Sequence, residues 1–401
     1  MIEFEQARQQ LMAQAAQLAL PQQALLTEAL GMVLAEDVVS AIDVPPEDNS
    51  AVDGYAFALG AQDHGPEGLR VSQRVAAGQV PDALVMGTAA RIFTGAAVPF
   101  GADVVVMQED VSVAGERITF GEKVALTTGQ NIRRRGQDVR AGGVILSCGE
   151  KLTPWHLGLL ASVGIDCVTV FRPLRIGVLS TGDELQEPGE PAQPGKIFNS
   201  NRYLMLALIR ACGFVPVDGG KVADTAEATE AALSRIAEQV DIVVTSGGVS
   251  VGEEDHVRAA VEKLGSIALW KIAIKPGKPF AFGHLGDALF AGLPGNPSAV
   301  LVTFLVLLKP FLDRCQGRLS RQSVPRLLRS TFSVKPGRRQ EYLRVQLIDD
   351  GEGACLALHP NQSSGMLSSA CWADGLAVLA AGEGMNVGDT LPFLSFEELL
   401  S

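Results

Sequence analysis

The spacing of apolar residues changes along this chain, and the predicted architecture changes with it. From Phe4 to Leu20 the sequence is rich in Ala, Gln and Leu, good helix formers, until Pro21 stops the run. Leu25 to Leu34 carries a second amphipathic helical pattern, and Val38 to Asp43 reads as a strand. The segment from Val44 to Ala56, with Pro45 and Pro46 ahead of Asp, Asn and Ser, predicts a rigid extended loop that turns at Asp53-Gly54. Between about 57 and 140 short runs predict a mostly β module: Leu69–Val75, Ala89–Phe93, Val104–Met107 and Arg117–Phe120, separated by Gly and Pro. Helix returns at Trp155 to Val163, flanked by strand-like pieces; packing of residues 140–171 with residues 1–50 would make the β module an insertion. Residues 172–315 alternate strand and helix, which predicts a mainly parallel sheet covered on both faces. From 320 to 401 the pattern is β again, fitting a small barrel or sandwich.

The stretch Asp241 to Asp255 organises the alternating region. Ile242, Val243 and Val244 form a β-branched run suited to a strand buried on both faces. It ends in Thr245-Ser-Gly-Gly248, where bare backbone N–H groups can approach a ligand, and a helical pattern with Val257, Val261 and Leu264 on one face follows from Glu253. A strand, a glycine turn and a helix start together make an anion site. Ser180-Thr-Gly-Asp-Glu-Leu185 and the turn at 294–298 also follow predicted strands, and ligands in such sheets bind beyond the carboxyl ends of strands. The carboxylates Asp183, Glu184 and Asp255 beside these turns suit phosphate chemistry bridged by a divalent cation, magnesium being the usual choice. Lys271, Lys275 and Lys278 surround Pro276-Gly277 and form a stiff cationic feature suited to a small oxyanion. Arg133-Arg134-Arg135 is the dense basic cluster, read either as a solvated loop or as an anion contact. Asp224-Thr-Ala-Glu227 reads as a capping box opening a helix to Val240, and Asn199, Ser200 or Asn201 as the cap of a helix from Arg202 to Cys212. Ser298 reads as the cap of the apolar helix Ala299 to Cys315.

Composition narrows the class. With 47% hydrophobic and 19% charged residues in 401, the chain buries sizeable cores and has room for two to four domains. A formal net charge of -12 argues against nucleic-acid or anionic-membrane binding, leaving only a local basic pocket. The six cysteines are scattered without a C-x-x-C pair, which predicts neither a zinc site nor a disulfide framework and fits a reducing cytosol. Five histidines lack metal-ligand spacing, and neither a P-loop nor a serine-hydrolase elbow is present. The N-terminus lacks a signal-peptide core, and the longest apolar run, Ala299 to Leu308, is too short to span a bilayer. The expectation is a soluble cytoplasmic enzyme that binds a phosphorylated organic ligand, a divalent cation and a second anion.

Six motifs stand in one order: Ser50-Ala-Val-Asp-Gly-Tyr-Ala56, Phe93-Thr-Gly-Ala96, Ser180-Thr-Gly-Asp-Glu-Leu185, Thr245-Ser-Gly-Gly-Val-Ser-Val-Gly252, Lys275-Pro-Gly-Lys-Pro279 and Gly292-Leu-Pro-Gly-Asn-Pro297. In this the whole chain resembles the MoeA family, molybdopterin molybdenumtransferases similar to the E domain of gephyrin. The resemblance implies a multidomain fold: an N-terminal elongated domain (1–50 with 139–171), a β-rich inserted domain (51–138), a three-layer molybdopterin-binding α/β domain (172–318) and a C-terminal small β-barrel (319–401). It implies a transferase that inserts molybdate into adenylated molybdopterin, with magnesium, and releases AMP. By the same resemblance Asp53, Thr94, Asp138, Glu184, Asp224 and Asp255 line the active cleft, with Glu184 and Asp255 on the cation. Thr181, Gly182, Asp183, Ser246, Gly247, Gly248, Val249, Ser250, Gly252, Pro294, Gly295, Asn296 and Pro297 are expected at the molybdopterin and nucleotide end. Lys271, Lys275, Lys278 and Pro279, with Arg339, Arg344 and Ser368 from the last domain, are expected at molybdate. The resemblance further implies an elongated homodimer with Asp53 and Thr94 facing the other subunit's α/β domain. Molybdopterin adenylyltransferase and molybdoenzyme maturation proteins are its expected partners. In the family pattern Gly-Asn-Pro-Val-Ser-Ala a residue separates Pro from Ser, whereas here Ser298 directly follows Pro297. The competing expectations are a molybdopterin adenylyltransferase and a non-catalytic dimeric scaffold.

Overall fold

The computed structural model describes residues 1–61, 68–120, 126–248, 256–319 and 325–401. The first helix, Phe4–Met12, is shorter than its sequence pattern and buries Phe4, Ala7 and Leu11. Beyond it the backbone turns to donate from Leu18 and Ala19 to the Cys315 carbonyl (2.9 and 3.4 Å). The second helix expected from Leu25 to Leu34 is absent. Pro21–Leu25 is instead a strand paired antiparallel to Cys167–Phe171, and Val33–Leu34 pairs with the other edge of that same strand. The ladder to a partner far along the chain outweighs the weak local helical preference. Of the strand expected over 38–43, Val38–Val39 pairs with Val144–Leu146. Residues before 50 and after 139 therefore share two small sheets and their own core around Leu34, Leu160 and Val170.

The β module forms a six-stranded sheet in the order Val104–Met107, Gly54–Phe57, Thr88–Ile92, Leu69–Val75, Arg117–Phe120, Val111–Ala114. Four of these strands carry the predicted short apolar runs, Val111–Ala114 is the hairpin partner of Arg117–Phe120, and Gly54–Phe57 pairs between two strands distant in sequence.

The alternating region builds the sheet that positions the cavity. Its order is Val215–Val222, Arg175–Thr181, Ile242–Ser246, Ala288–Leu293, Pro279–Leu285, Gly265–Lys271. The first four strands run parallel, and the last two continue as antiparallel neighbours. Ile242 and Val244 face one core and Val243 the other, all fully buried, as a run apolar on both faces requires. Ser200–Ala211 and the helical segment from Pro297 to Cys315 cover one face; Ala226–Ala237 and His256–Leu264 cover the other. The result is three layers.

The last strands close into a barrel: Gln340–Asp349, Ala354–Leu358, Arg326–Ser330, Thr390–Ser395 and Gly375–Leu379, which pairs back onto the first. Leu343, Val345, Leu356, Leu379 and Phe393 fill it. Ile274–Lys275 pairs with Gln340–Glu341, stitching the barrel to the α/β sheet. No helix among the described residues is long and apolar enough to cross a membrane.

Candidate active site

Three parallel strands end at one place. A cavity of about 620 Å³ opens beyond the carboxyl ends of Arg175–Thr181, Ile242–Ser246 and Ala288–Leu293. From the first strand Thr181, Gly182 and Glu184 line it. Gly182 has φ +141°, and a Cβ there would lie 2.5 Å from a Glu184 carboxylate oxygen. Glu184 is therefore folded back on bare backbone that only glycine provides. From the second strand come Ser246, Gly247 and Gly248, the glycines at φ +83° and +66°. From the third come Gly295, Asn296 and Pro297, following buried Pro294. The second and third turns are joined by the Gly247 N–H donating to the Leu293 carbonyl at 3.0 Å.

Helices begin at the same cavity. Asn199 caps Ser200–Ala211, its side chain accepting from the Arg202 N–H at 3.3 Å. Asn201, read from sequence only as a cap, donates its side-chain amide to the Gly295 carbonyl at 2.6 Å and ties that helix to the third turn. His256 and Pro297 start the other helices that border the cavity. N-terminal N–H groups thus converge on it and favour an anion. Ile197, Phe198, Asn199, Ser200, Asn201 and His256 were missed as lining residues. The cap spacing pointed to the asparagines, whereas nothing local distinguishes Phe198 or a lone histidine.

The expected capping box does not form, and the cap sits one residue later. Thr225, not Asp224, caps Ala226–Ala237 by accepting from the Ala228 N–H at 3.3 Å. Asp224 is left to line the cavity with Glu184. Asp183 is exposed, and its carbonyl accepts from Lys196. Val249, Ser250, Gly252 and Asp255, like the expected helix start at Glu253, lie outside the described residues. Among the described residues no group of three potential metal ligands is gathered.

The other expected site residues lie elsewhere in this chain. Asp53 accepts from both the N–H and the hydroxyl of Thr94 (2.8 and 2.7 Å) at the end of the β module. Those bonds, with Arg91 nearby, hold its carboxyl below the usual carboxylate range. Asp138 is exposed, its N–H donating to the Val44 carbonyl at 3.0 Å. In the basic cluster Arg134 pairs with Asp48 (2.6 Å) and Arg135 with Asp43 (2.5 Å), so these two brace their own loop. Lys271 and Lys278 are exposed, with Pro279 opposite Lys271 at the edge of the sheet, while Lys275 pairs with the buried carboxylate of Glu341 at 3.0 Å. Arg339 donates to the Ile274 carbonyl at 3.2 Å. Arg344 is fully buried and donates to Ser369 Oγ (3.2 Å) and the Ser363 carbonyl (3.1 Å); the neighbouring Ser368 is exposed. Burial pushes the Arg344 guanidinium down from its ordinary range. Ser298 does not cap its helix. Asn296 holds the cap position, and the Ser298 hydroxyl donates to the Met366 carbonyl at 2.9 Å, holding the barrel's 361–369 loop against the helix. The cysteines are free thiols, and burial raises Cys212 to about 11 and Cys315 to about 12.

The chain matches the family models of the MoeA N-terminal region (domain I and II) over residues 2–164, a probable molybdopterin binding domain over 177–314 and the MoeA C-terminal region (domain IV) over 328–396. It is 44% identical over 322 residues to the molybdopterin molybdenumtransferase of Haemophilus influenzae, covering 79% of this chain and 78% of that one. Identity to the enzyme of the same name from Synechococcus elongatus is 35% over 402 residues, covering 97% and 98%. A crystal structure of the molybdopterin biosynthesis MoeA protein from Pyrococcus horikoshii superposes with a TM-score of 0.80 at 31% identity, covering 98% of this chain and 99% of that chain.

Proposed function

This chain belongs to the MoeA family, and from that premise we propose that it inserts molybdate into adenylated molybdopterin and releases AMP. It is a transferase of molybdenum-cofactor biosynthesis. The observation that carries the finer statement is the meeting of Glu184, Asp224, two glycine turns and the helix starts at one cavity beyond parallel strand ends. The turn and helix N–H groups bind phosphate oxygens of the ligand. Glu184 and Asp255, with Asp224 in the same cavity, suit a magnesium ion that shares those oxygens. When bound, such an ion draws charge from the phosphoryl group. Molybdate is substrate, and Lys271, Lys275 and Lys278 with Arg339 and Ser368 form its approach, buried Arg344 holding the 363–369 loop behind them; an oxyanion reaching Lys275 competes with Glu341.

Asp53, Thr94 and Asp138 are absent from the cavity lining of their own chain, which is consistent with a homodimer in which each subunit's β module faces the other's cavity. The four-part division 1–50 with 139–171, 51–138, 172–318 and 319–401 belongs to the same reading, as do a cytoplasmic location and hand-over to maturation partners.

Single turnover of adenylated molybdopterin tests the proposal. AMP release that needs both molybdate and magnesium, with molybdenum cofactor formed, is the expected result. Robust synthesis of adenylated molybdopterin from molybdopterin and ATP would instead make the protein an adenylyltransferase. Restoration of molybdoenzyme activity to a deficient strain by Glu184→Ala and Asp255→Ala proteins would make it a scaffold.

A further inference from the structure

The cavity has a charge problem. On the function proposed above, from which this inference starts, its ligand carries phosphates. Yet no described lining residue is Lys or Arg, while Glu184 and Asp224 are both acidic. Of the cations near the rim, Arg202 is paired with Asp218 and Glu187, while Lys196 and Lys221 keep their charge with their ammonium groups held on the Asp183 and Leu185 carbonyls. Helix starts contribute only about half a unit charge each. A divalent ion helps, but a polyphosphate among these carboxylates needs further positive charge.

The β module carries such charge beside Asp53 and Thr94. Arg74 and Arg91 are directly opposed on adjacent parallel strands, and Tyr55 opposes Arg91 on its other side. The Arg91 guanidinium lies 5.0 Å from the Tyr55 ring centroid and 4.6 Å from that of Phe93; the Arg74 guanidinium lies 4.5 Å from Phe93. Arg91 also donates to the Gly54 carbonyl at 3.0 Å and to Gln108 Oε1 at 2.6 Å, so it is held rigidly one residue from Asp53. Neither arginine forms an ion pair among the described residues, whereas Arg134 and Arg135 nearby each have one. Asp53 takes both its hydrogen bonds from Thr94 and forms no ion pair with Arg91, whose charge it offsets only in part. Like charges directly across a sheet repel. Ring faces offset part of that cost, and an anion placed between the guanidinium groups would offset the rest.

We propose that Arg91 and Arg74 of one subunit complete the phosphate site in the other subunit's cavity, binding phosphate oxygens of the ligand's nucleotide half there. The acidic cavity and the cationic edge are then two halves of one site. Each chain carries both halves without bringing them together itself.

The test uses AMP as probe and light scattering to establish the dimer. The Arg74→Gln/Arg91→Gln protein is expected to bind AMP on the order of 10–100-fold more weakly, as for charged hydrogen bonds lost, while adenosine binding holds. Arg74→Lys/Arg91→Lys, which keeps the charge, is expected to recover part of the loss and guards against a folding defect. Mixing the double Gln variant with Asn296→Trp, whose bulky side chain blocks the cavity from an exposed lining position that makes no side-chain cap bond, under conditions of subunit exchange gives mixed dimers with one intact site of two. About a quarter of all sites should then regain AMP binding. No recovery in verified mixed dimers, or unchanged AMP affinity in the double variant, would overturn the arginine assignment alone. A wild-type protein that is monomeric, or that ignores AMP, would remove the parent reading and this inference together.

Discussion

At Gly182 one hydrogen atom in place of a methyl group keeps Glu184 in the cavity. The backbone there sits at φ +141°, and a Cβ would stand 2.5 Å from Oε2 and 2.8 Å from Oε1 of Glu184. Gly182→Ala therefore both strains the turn and drives the carboxylate away. Its turnover is expected to fall on the order of 10²-fold, the usual cost of displacing a catalytic group by about an ångström. Single-turnover AMP release checks this, with circular dichroism confirming the fold. A Gly182→Ala protein of unchanged turnover would mean that Glu184's position is immaterial.

At the scale of an element, one residue of register separates structure from function at the start of Ala226–Ala237. Thr225 accepts the Ala228 N–H and is the cap; Asp224, one position earlier, lines the cavity. The two substitutions should therefore separate. Thr225→Ala is expected to cost about 1 kcal/mol of stability and to leave AMP binding alone. Asp224→Ala is expected to leave stability nearly unchanged and to impair AMP release. Urea unfolding and single-turnover assays on both proteins decide, and a reversed pattern would restore Asp224 as the cap. The Asn199–Ser200–Asn201 helix start combines both tasks in one element: Asn199 caps, while Asn201 bonds to Gly295 across the cavity.

At the scale of the whole molecule, one core joins segments far apart in sequence. Phe4, Ala7 and Leu11 of the first helix, Ile176, Val244 and Phe280 of the α/β sheet, and Tyr342 and Leu376 of the barrel belong to a single apolar cluster. Phe4 meets Tyr342 edge-on, with ring centroids 5.7 Å apart. The barrel is also stitched to the sheet by Ile274–Lys275 and braced by Ser298 against Met366. The α/β layers and the barrel are thus expected to unfold together. Phe4→Ala, which empties part of that cluster, is expected to lower stability by ~3–5 kcal/mol and to shift one shared transition. Differential scanning calorimetry that resolved a barrel transition unaffected by Phe4→Ala would refute the shared core.

Much of the fold was legible because its signals are local. Ile242–Val244 is apolar on every residue, and a strand buried on both faces needs that. The glycines at 182, 247 and 248 mark turns because only glycine takes those positive φ values readily. The strand ends, and so the three turns that line the cavity, followed from the alternation of elements. What sequence by itself did not determine are the choices made between distant residues. Pro21–Leu25 is a strand because Cys167–Phe171 lies beside it. Arg134 and Arg135 are braces because Asp48 and Asp43 come within reach. Ser298 leaves its cap because the Met366 carbonyl accepts its hydroxyl. Periodicity and backbone conformation are properties of neighbours along the chain. Pairing of a strand edge, a charge or a hydroxyl depends on what folding brings within about 3 Å, and only the tertiary structure decides that.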